Sequence, residues 1–345
     1  MKRDYVLYVL ILALFIWVSV LSSRKPEAHL NTITEEVTVQ GFSTDLTTMY
    51  EEHADEVVTV AAGDSLSSGF VYQQNSDNVY IITSFHGVSN SDNIEVLFGK
   101  TYKVSAELLG FDFYTDIAVL KVTTPYNVKT CTFGDSSLLK QGEFVMSVGT
   151  PISNDYVGSL ELGIISLNRI VVDNYINYNS EQHNYYLDTV SFTSNLKQGY
   201  SGSPLYNMGG QVVGISAMSS ANIRYALTAN EVKIVADKII SGDTLNRNNF
   251  GVKVVFVKDL LNYEKSNIGL TIDSIHGLYV EDVKADSVMS NAGITKGDVI
   301  VKINGVETDN LDSYLQTVYL NDTSFDITYI RNGVEATASV KAAND

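Results

Sequence analysis

QGYSGSPLYN, residues 198–207, carries two glycines, two serines, a proline and two tyrosines. Such a stretch suits a surface turn, because Gly, Ser and Pro each favour turn conformations. It also suits a nucleophile. A serine hydroxyl attacks a carbonyl only when a base removes its proton, and the developing oxyanion needs backbone N–H donors aimed at it. Gly199 and Gly202 let the chain bend sharply around Ser201, so that the Gly199 and Ser201 amides can face one point. The segment alone leaves both readings open. A nucleophile requires a histidine and a carboxylate elsewhere in the chain.

Five histidines are present: His29, His53, His86, His183 and His276. His86 stands in VYIITSFHGVSN (79–90), where a β-type run gives way to a Gly/Ser/Asn loop, so its ring is expected at a strand end. Asp116 stands in FYTDIAVLKV (113–122), directly before an apolar strand, where an acid costs desolvation energy unless a partner compensates. A satisfied surface histidine and a strand-initiating turn are the plainer readings of each alone. The order His86, Asp116, Ser201 is that of the chymotrypsin-type triad.

Around these residues, from about 51 to 236, short Val/Ile/Phe/Tyr-rich runs alternate with turn residues, which predicts an all-β barrel or sandwich. A tight hairpin is expected at 75–78. Helices are expected near 45–55 and over 231–240, the latter stopped by Ser-Gly-Asp. A second unit from about 250 predicts strands near 252–257, 269–273, 278–283, 298–303 and 324–330, and helices at 287–292 and 311–320.

The 345 residues suggest two or three domains, and 45% hydrophobic residues suffice for sizeable cores. A net charge of −17 opposes nucleic-acid binding and charge-driven docking on anionic lipid. The single cysteine, Cys131, excludes an intrachain disulfide and a cysteine-based zinc site. No metal or other cofactor is expected. At the N-terminus, residues 1–4 read as a short cytoplasmic tail and 5–23 as an uncharged apolar run of roughly 28 Å if helical. This predicts a retained membrane anchor, with the rest of the chain on the extracytoplasmic side. A cleaved signal peptide is the alternative, although no small-x-small site follows the run. Residues 24–48 read as a polar stalk.

The motifs together resemble the HtrA/Deg proteases, trypsin-like enzymes with a C-terminal PDZ domain, here of the membrane-anchored type. ITSFHGV (82–88) resembles the family's ITNNHVV, and TDIAVLKV (115–122) its TDLAVLKI. FGDSSLLKQGEFVMSVGTP (133–151) and YSGSPLYNMGGQVVGI (200–215) are similar to its LGDSDKLRVGEWVVAIGNP and NSGGPLLNLRGEVIGI. SVMSNAGITKGDVIVKINGVETDN (287–310) is similar to the PDZ core pattern. The resemblance implies a mainly β architecture: a chymotrypsin-like double β-barrel over 49–240, then a PDZ domain over 250–342.

It also implies His86, Asp116 and Ser201 as catalytic residues, with Gly199 and Ser201 as oxyanion donors. Asn195, Leu196, Ile215 and Ser216 should line the substrate pocket. That pocket holds no acid, so a small aliphatic residue is implied at the cleavage position. In KSNIGLTID (265–273), Asn267, Ile268, Gly269 and Leu270 are implied as the loop that captures a peptide's terminal carboxylate. Arg169 is implied to open a regulatory loop over 168–185, which reads as mobile for want of an apolar period. A homotrimer formed through residues 41–50 is likewise implied. The chain departs from the family at Tyr200, Ser203, Gly87 and Thr193. The function implied is a serine endopeptidase acting on misfolded or regulatory proteins. Tyr200 and Ser203 are what supports the alternative, a catalytically silent PDZ scaffold or chaperone-like binder, and the intact triad residues oppose it.

Overall fold

The computed structural model describes Leu14 and residues 46–341, except 179–180, 196, 221–222, 249, 271–275, 320–321 and 323; the side chains of 174–185 and 217–220 are likewise not described. Apart from Leu14, these residues belong to one compact unit, Thr44–Asp345. The apolar run at 5–23 lies, save for Leu14, outside the described residues. No described helix is long and apolar enough to cross a membrane.

After helix α1 (Leu46–His53), six antiparallel strands close into a barrel: β1 (Val57–Ala62), β2 (Ser65–Asn75), β3 (Asn78–Ser84), β4 (Ile94–Phe98), β5 (Tyr102–Asp112) and β6 (Ile117–Thr123). The strand order is β1-β2-β3-β6-β5-β4, and the β1–β4 pairing closes the ring. The β2–β3 hairpin closes at 75–78, with Asn75 opposite Asn78. Side chains two apart share a face. Val79 and Ile81 of β3 therefore fill the barrel with Val60, Val96 and Leu120, while Ile82 faces the other way with Phe70 and Val119.

The second sheet contains β7 (Thr132–Phe133), β8 (Phe144–Gly149), β9 (Ser159–Tyr178), β10 (Glu181–Thr193), β11 (Pro204–Asn207), β12 (Gln211–Ser220) and β13 (Ile223–Thr228). Its order β11-β8-β9-β10-β13-β12 closes through the β11–β12 pairing, with β7 appended. Its interior holds Val145, Ile165, Val190, Phe192, Leu205 and Val213. Helix α2 (Ala229–Ser241) follows and ends at Gly242 with φ 75°, the left-handed stop that Ser-Gly-Asp signals.

The predicted mobile loop at 168–185 is instead part of a paired ribbon. β9 and β10 stay in register out to Tyr178 opposite Glu181. Ladder hydrogen bonds join backbone groups, so two strands can pair without an apolar alternation.

The C-terminal unit has strands β14 (Val252–Phe256), β15 (Leu278–Val283), β16 (Val299–Ile303), β17 (Val306–Glu307), β18 (Ser324–Arg331) and β19 (Val334–Lys341). It also has helices α3 (Asn262–Asn267), α4 (Val288–Asn291) and α5 (Leu311–Val318). Among the described residues the sheet order is β14-β15-β16-β18-β19, with β14 at an edge. Of the strand expected at 269–273, residues 271–273 lie outside the described residues, and Gly269 is in a turn. One apolar cluster runs from Phe70 and Val119 through Val232 and Val235 of α2 to Phe250, Leu315 and Phe325.

Buried charge crosses the same junction. Glu231 on α2 is fully buried, accepts a hydrogen bond from Tyr319 at 2.7 Å, and lies 3.4 Å from the Arg247 guanidinium. Burial pushes the Glu231 carboxyl above its ordinary pKa, with Arg247 opposing the rise.

Candidate active site

Strand β3 ends at Ser84, and a single 3-10 turn, Phe85–Gly87, lifts His86 off the strand end. Asp116 opens β6 with φ 56°, a left-handed backbone that Asp tolerates better than most residues. It is held to the His86 turn at three points. Its carbonyl accepts the Phe85 N–H at 2.8 Å, Oδ1 accepts the His86 N–H at 2.8 Å, and Oδ2 lies 2.5 Å from His86 Nδ1. A carboxylate can only accept, so Nδ1 carries the proton and Nε2 is left with its lone pair. The hydrogen bond that His86 donates to Asp116 raises the His86 pKa above the ordinary imidazole value, against the opposing effect of burial.

The Ser201 turn is pressed onto the same strand end. Gly199 has φ 100°, and a Cβ there would stand 2.3 Å from the Thr150 carbonyl oxygen. Gly202 has φ 82°, and a Cβ would stand 2.3 Å from the Ser68 oxygen and 2.7 Å from the Ser84 nitrogen. Only glycine fits either position. The carbonyls of the turn are engaged elsewhere. Ser201 O accepts from the Ser68 N–H at 2.9 Å, Gly199 O from the Ser68 hydroxyl at 2.7 Å, and Tyr200 O from the Ser203 N–H at 2.9 Å. Among the described residues, the Gly199 and Ser201 amides have no acceptor, and the Ser201 hydroxyl has no hydrogen bond to His86. The arrangement offers a base with a free lone pair, a hydroxyl and two unengaged amides.

Sequence reasoning missed Ser68. It is fully buried, clamps the Gly199 carbonyl and accepts the Thr150 N–H at 2.9 Å. The only signal was a pair of serines before Gly69 in a strand otherwise built for a core.

The departures in the turn are absorbed locally. Ser203 is fully buried, and its hydroxyl is bonded to that of Ser147 at 2.8 Å. Tyr200 is 2% exposed and packs where Gly149 leaves room: a Cβ on Gly149 would lie 2.7 Å from the ring. Gly87 does the same for Ser67, whose hydroxyl would lie 2.7 Å from a Cβ.

Of the expected pocket residues, Asn195 is exposed and Leu196 lies outside the described residues. Ser216 sits against the turn: its N–H donates to Ser203 O and its carbonyl accepts from the Gly202 N–H, both at 2.9 Å. Ile215 instead turns into the main core. Consecutive residues of β12 face opposite sides, so Ile215 and Ser216 cannot both line one pocket.

The residues expected as the carboxylate loop have their amides engaged within the chain. The amides of Ile268, Gly269 and Leu270 donate to Glu264, Ser266 and Lys265 carbonyls at 3.1, 3.2 and 2.8 Å. They close the end of α3, at which Asn267 is the last residue, and have no N–H to spare. Another apolar-Gly-apolar triplet, Phe250-Gly251-Val252, stands where edge strand β14 begins, and Gly251 has φ 63°. A cleft runs along this strand, lined by Phe250, Val252, Val254, Leu315 and Val318, with Asp188 and Arg247 at its wall.

Arg169 reaches this cleft from β9. It donates to the Val254 carbonyl at 3.2 Å and its guanidinium lies over the Phe256 ring at 4.5 Å. It also forms an ion pair with Asp188 at 2.6 Å, which is not aligned as a hydrogen bond.

Residues 67–215 match a trypsin-like peptidase domain, and 248–342 match a PDZ domain. The chain is 30% identical over 289 residues to the serine protease Do-like HtrA of Lactobacillus helveticus, covering 80% of this chain and 68% of that protein. It is 32% identical over 260 residues to the Do-like HtrB of Bacillus subtilis, covering 73% of this chain and 56% of that one. An HtrA-type protease, AlgW with a tripeptide, shares the fold with a TM-score of 0.60 at 23% identity, over 87% of this chain and 97% of that one. The chain therefore belongs to the Do-like HtrA family of serine proteases, with a trypsin-like peptidase domain followed by a PDZ domain.

Proposed function

We propose that His86, Asp116 and Ser201 carry the serine endopeptidase activity of this family. His86 Nε2 takes the Ser201 proton as the hydroxyl attacks a peptide carbonyl. Asp116 holds the imidazole in the tautomer that leaves Nε2 free, and stabilises the imidazolium that forms. The Gly199 and Ser201 amides receive the oxyanion. His86 then protonates the leaving amine, and water releases the acyl group by the reverse sequence. The observation that carries this reading is the Asp116-bound His86 set beside a glycine-framed serine turn with two unengaged amides. The missing Ser201–His86 hydrogen bond is no obstacle, because such contacts commonly tighten only with substrate bound. The full chain should digest casein, and Ser201→Ala should not. Retained digestion in that variant would remove Ser201 from the mechanism.

The C-terminal unit binds the free C-terminus of a peptide at Phe250–Val252, and the peptide adds a strand to the edge of β14. Arg169 occupies the Val254 carbonyl on that edge, so peptide and arginine compete for it. Displacing Arg169 couples peptide binding to the β9–β10 ribbon, with a coupling of about 1–3 kcal/mol, or roughly 5–150-fold. An apolar C-terminal peptide should stimulate casein digestion by the wild type but not by Arg169→Ala. Equal stimulation of both would remove the arginine from control.

Residues 5–23 anchor the chain in a membrane, with the protease and PDZ domains on the extracytoplasmic side, where misfolded and regulatory proteins are the substrates. Resistance of the full chain to alkaline carbonate extraction tests the anchor, and release into the wash would contradict it. The chain assembles as a homotrimer through residues 41–50, which sedimentation of the detergent-solubilised chain tests.

A further inference from the structure

Three phenylalanines from the two segments that carry His86 and Asp116 meet one another. Phe85 immediately precedes His86. Phe111 lies at the end of β5, and Phe113 in the turn leading to Asp116. Phe85 and Phe111 stack with ring centroids 4.0 Å apart and planes 16° apart. Phe113 stands edge-on to both, at 5.1 Å from Phe85 and 4.7 Å from Phe111. Phe85 is seated against the core of the first barrel. Phe111 is 36% exposed, and the other two are half-buried.

We propose that these rings form a subsite that binds an apolar side chain of the substrate next to the residue whose bond is cut. The inference rests on the reading of Ser201 and His86 as nucleophile and base, and it adds a specificity determinant to that site. Its occupant follows from continuity. The Phe85 N–H is bonded to the Asp116 carbonyl at 2.8 Å, so the rings grow from the same joint that positions the base. A substrate carbonyl at Ser201 brings the extended chain past the His86 ring. At about 3.3 Å per residue, two or three neighbours of the cleaved residue lie within about 10 Å of the scissile bond. Ring faces and edges left partly in water gain from covering by an aromatic or large aliphatic side chain, and gain nothing from glycine or a charged group. Pre-stacked rings have little freedom left to lose when they bind, which favours them as a recognition surface.

The test uses the full chain and peptides that differ only at the positions flanking the cleaved residue, with kcat/KM ratios taken by competition. In the wild type, Phe, Tyr or Leu at one flanking position should be preferred over Gly by at least about tenfold. Phe111→Gln should bring that ratio close to one, and Phe111→Leu should keep most of it. Each ratio is internal to one variant, so a loss of folded enzyme cancels. A wild-type ratio near one at every flanking position overturns the inference, as does an unchanged ratio in Phe111→Gln. A changed sedimentation coefficient with an unchanged ratio would give the rings to a contact between copies of the chain, and would also overturn it. Failure of the wild type to cut any peptide would instead count against the protease reading on which it rests.

Discussion

Asp116 sits at φ 56° and uses its carbonyl and both carboxylate oxygens on a single turn, Phe85–His86. That commitment has a consequence in pH. The Asp116 hydrogen bond raises the His86 pKa, so the protonated, inactive ring persists above the ordinary value of about 6.5. The acid limb of kcat/KM should therefore have its midpoint above about 6.5. Asp116→Asn should move the limb down and cost roughly 10⁴ in turnover. A limb that does not move would detach Asp116 from His86. The same pair stabilises the folded state fully below about pH 6.5, and that contribution is lost as the pH rises through the folded-state pKa.

At this scale the placement of the catalytic candidates was legible in the sequence, because each sits in a short motif at a strand boundary. Ser68 was not, since its task depends on a carbonyl 131 residues away. The carboxylate loop was not legible, because Phe250-Gly251-Val252 and Ile268-Gly269-Leu270 carry the same apolar-Gly-apolar pattern. Only the pairing of β14 reveals which one begins an edge strand.

Among the elements, β3, β6 and α2 follow from composition and caps, and their observed bounds fall close to the expected ones. The β9–β10 ribbon does not, because a hydrogen-bonded arm leaves no periodic signature. Nor does the partnership of α2 with the segment after it. Glu231 and Arg247 are both buried, with Tyr319 completing the contact. Removing one member of a buried ion pair typically costs about 3–5 kcal/mol, because the other is left without compensation. Arg247→Ala should lose stability by that amount in denaturant titration. A loss within about 0.5 kcal/mol would mean that water reaches Glu231.

For the whole molecule, two barrels and a C-terminal sheet were foreseeable, but their fusion was not. A single apolar cluster links Phe70, Val232, Phe250 and Phe325 across both matched domains, and Glu231 with Arg247 and Tyr319 bridges the same seam. The chain should accordingly unfold in one calorimetric transition, with the van't Hoff and calorimetric enthalpies in agreement. Two resolved transitions would show that the domains are energetically separate.

The central claim is that Ser201 is the nucleophile, activated by His86. Labelling of the full chain with a fluorophosphonate tests it directly. Mass spectrometry should find one adduct, on Ser201. His86→Ala should slow labelling by several orders of magnitude, in keeping with nucleophile and base acting as a unit. An adduct on another serine, or labelling of His86→Ala at the wild-type rate, would contradict the account.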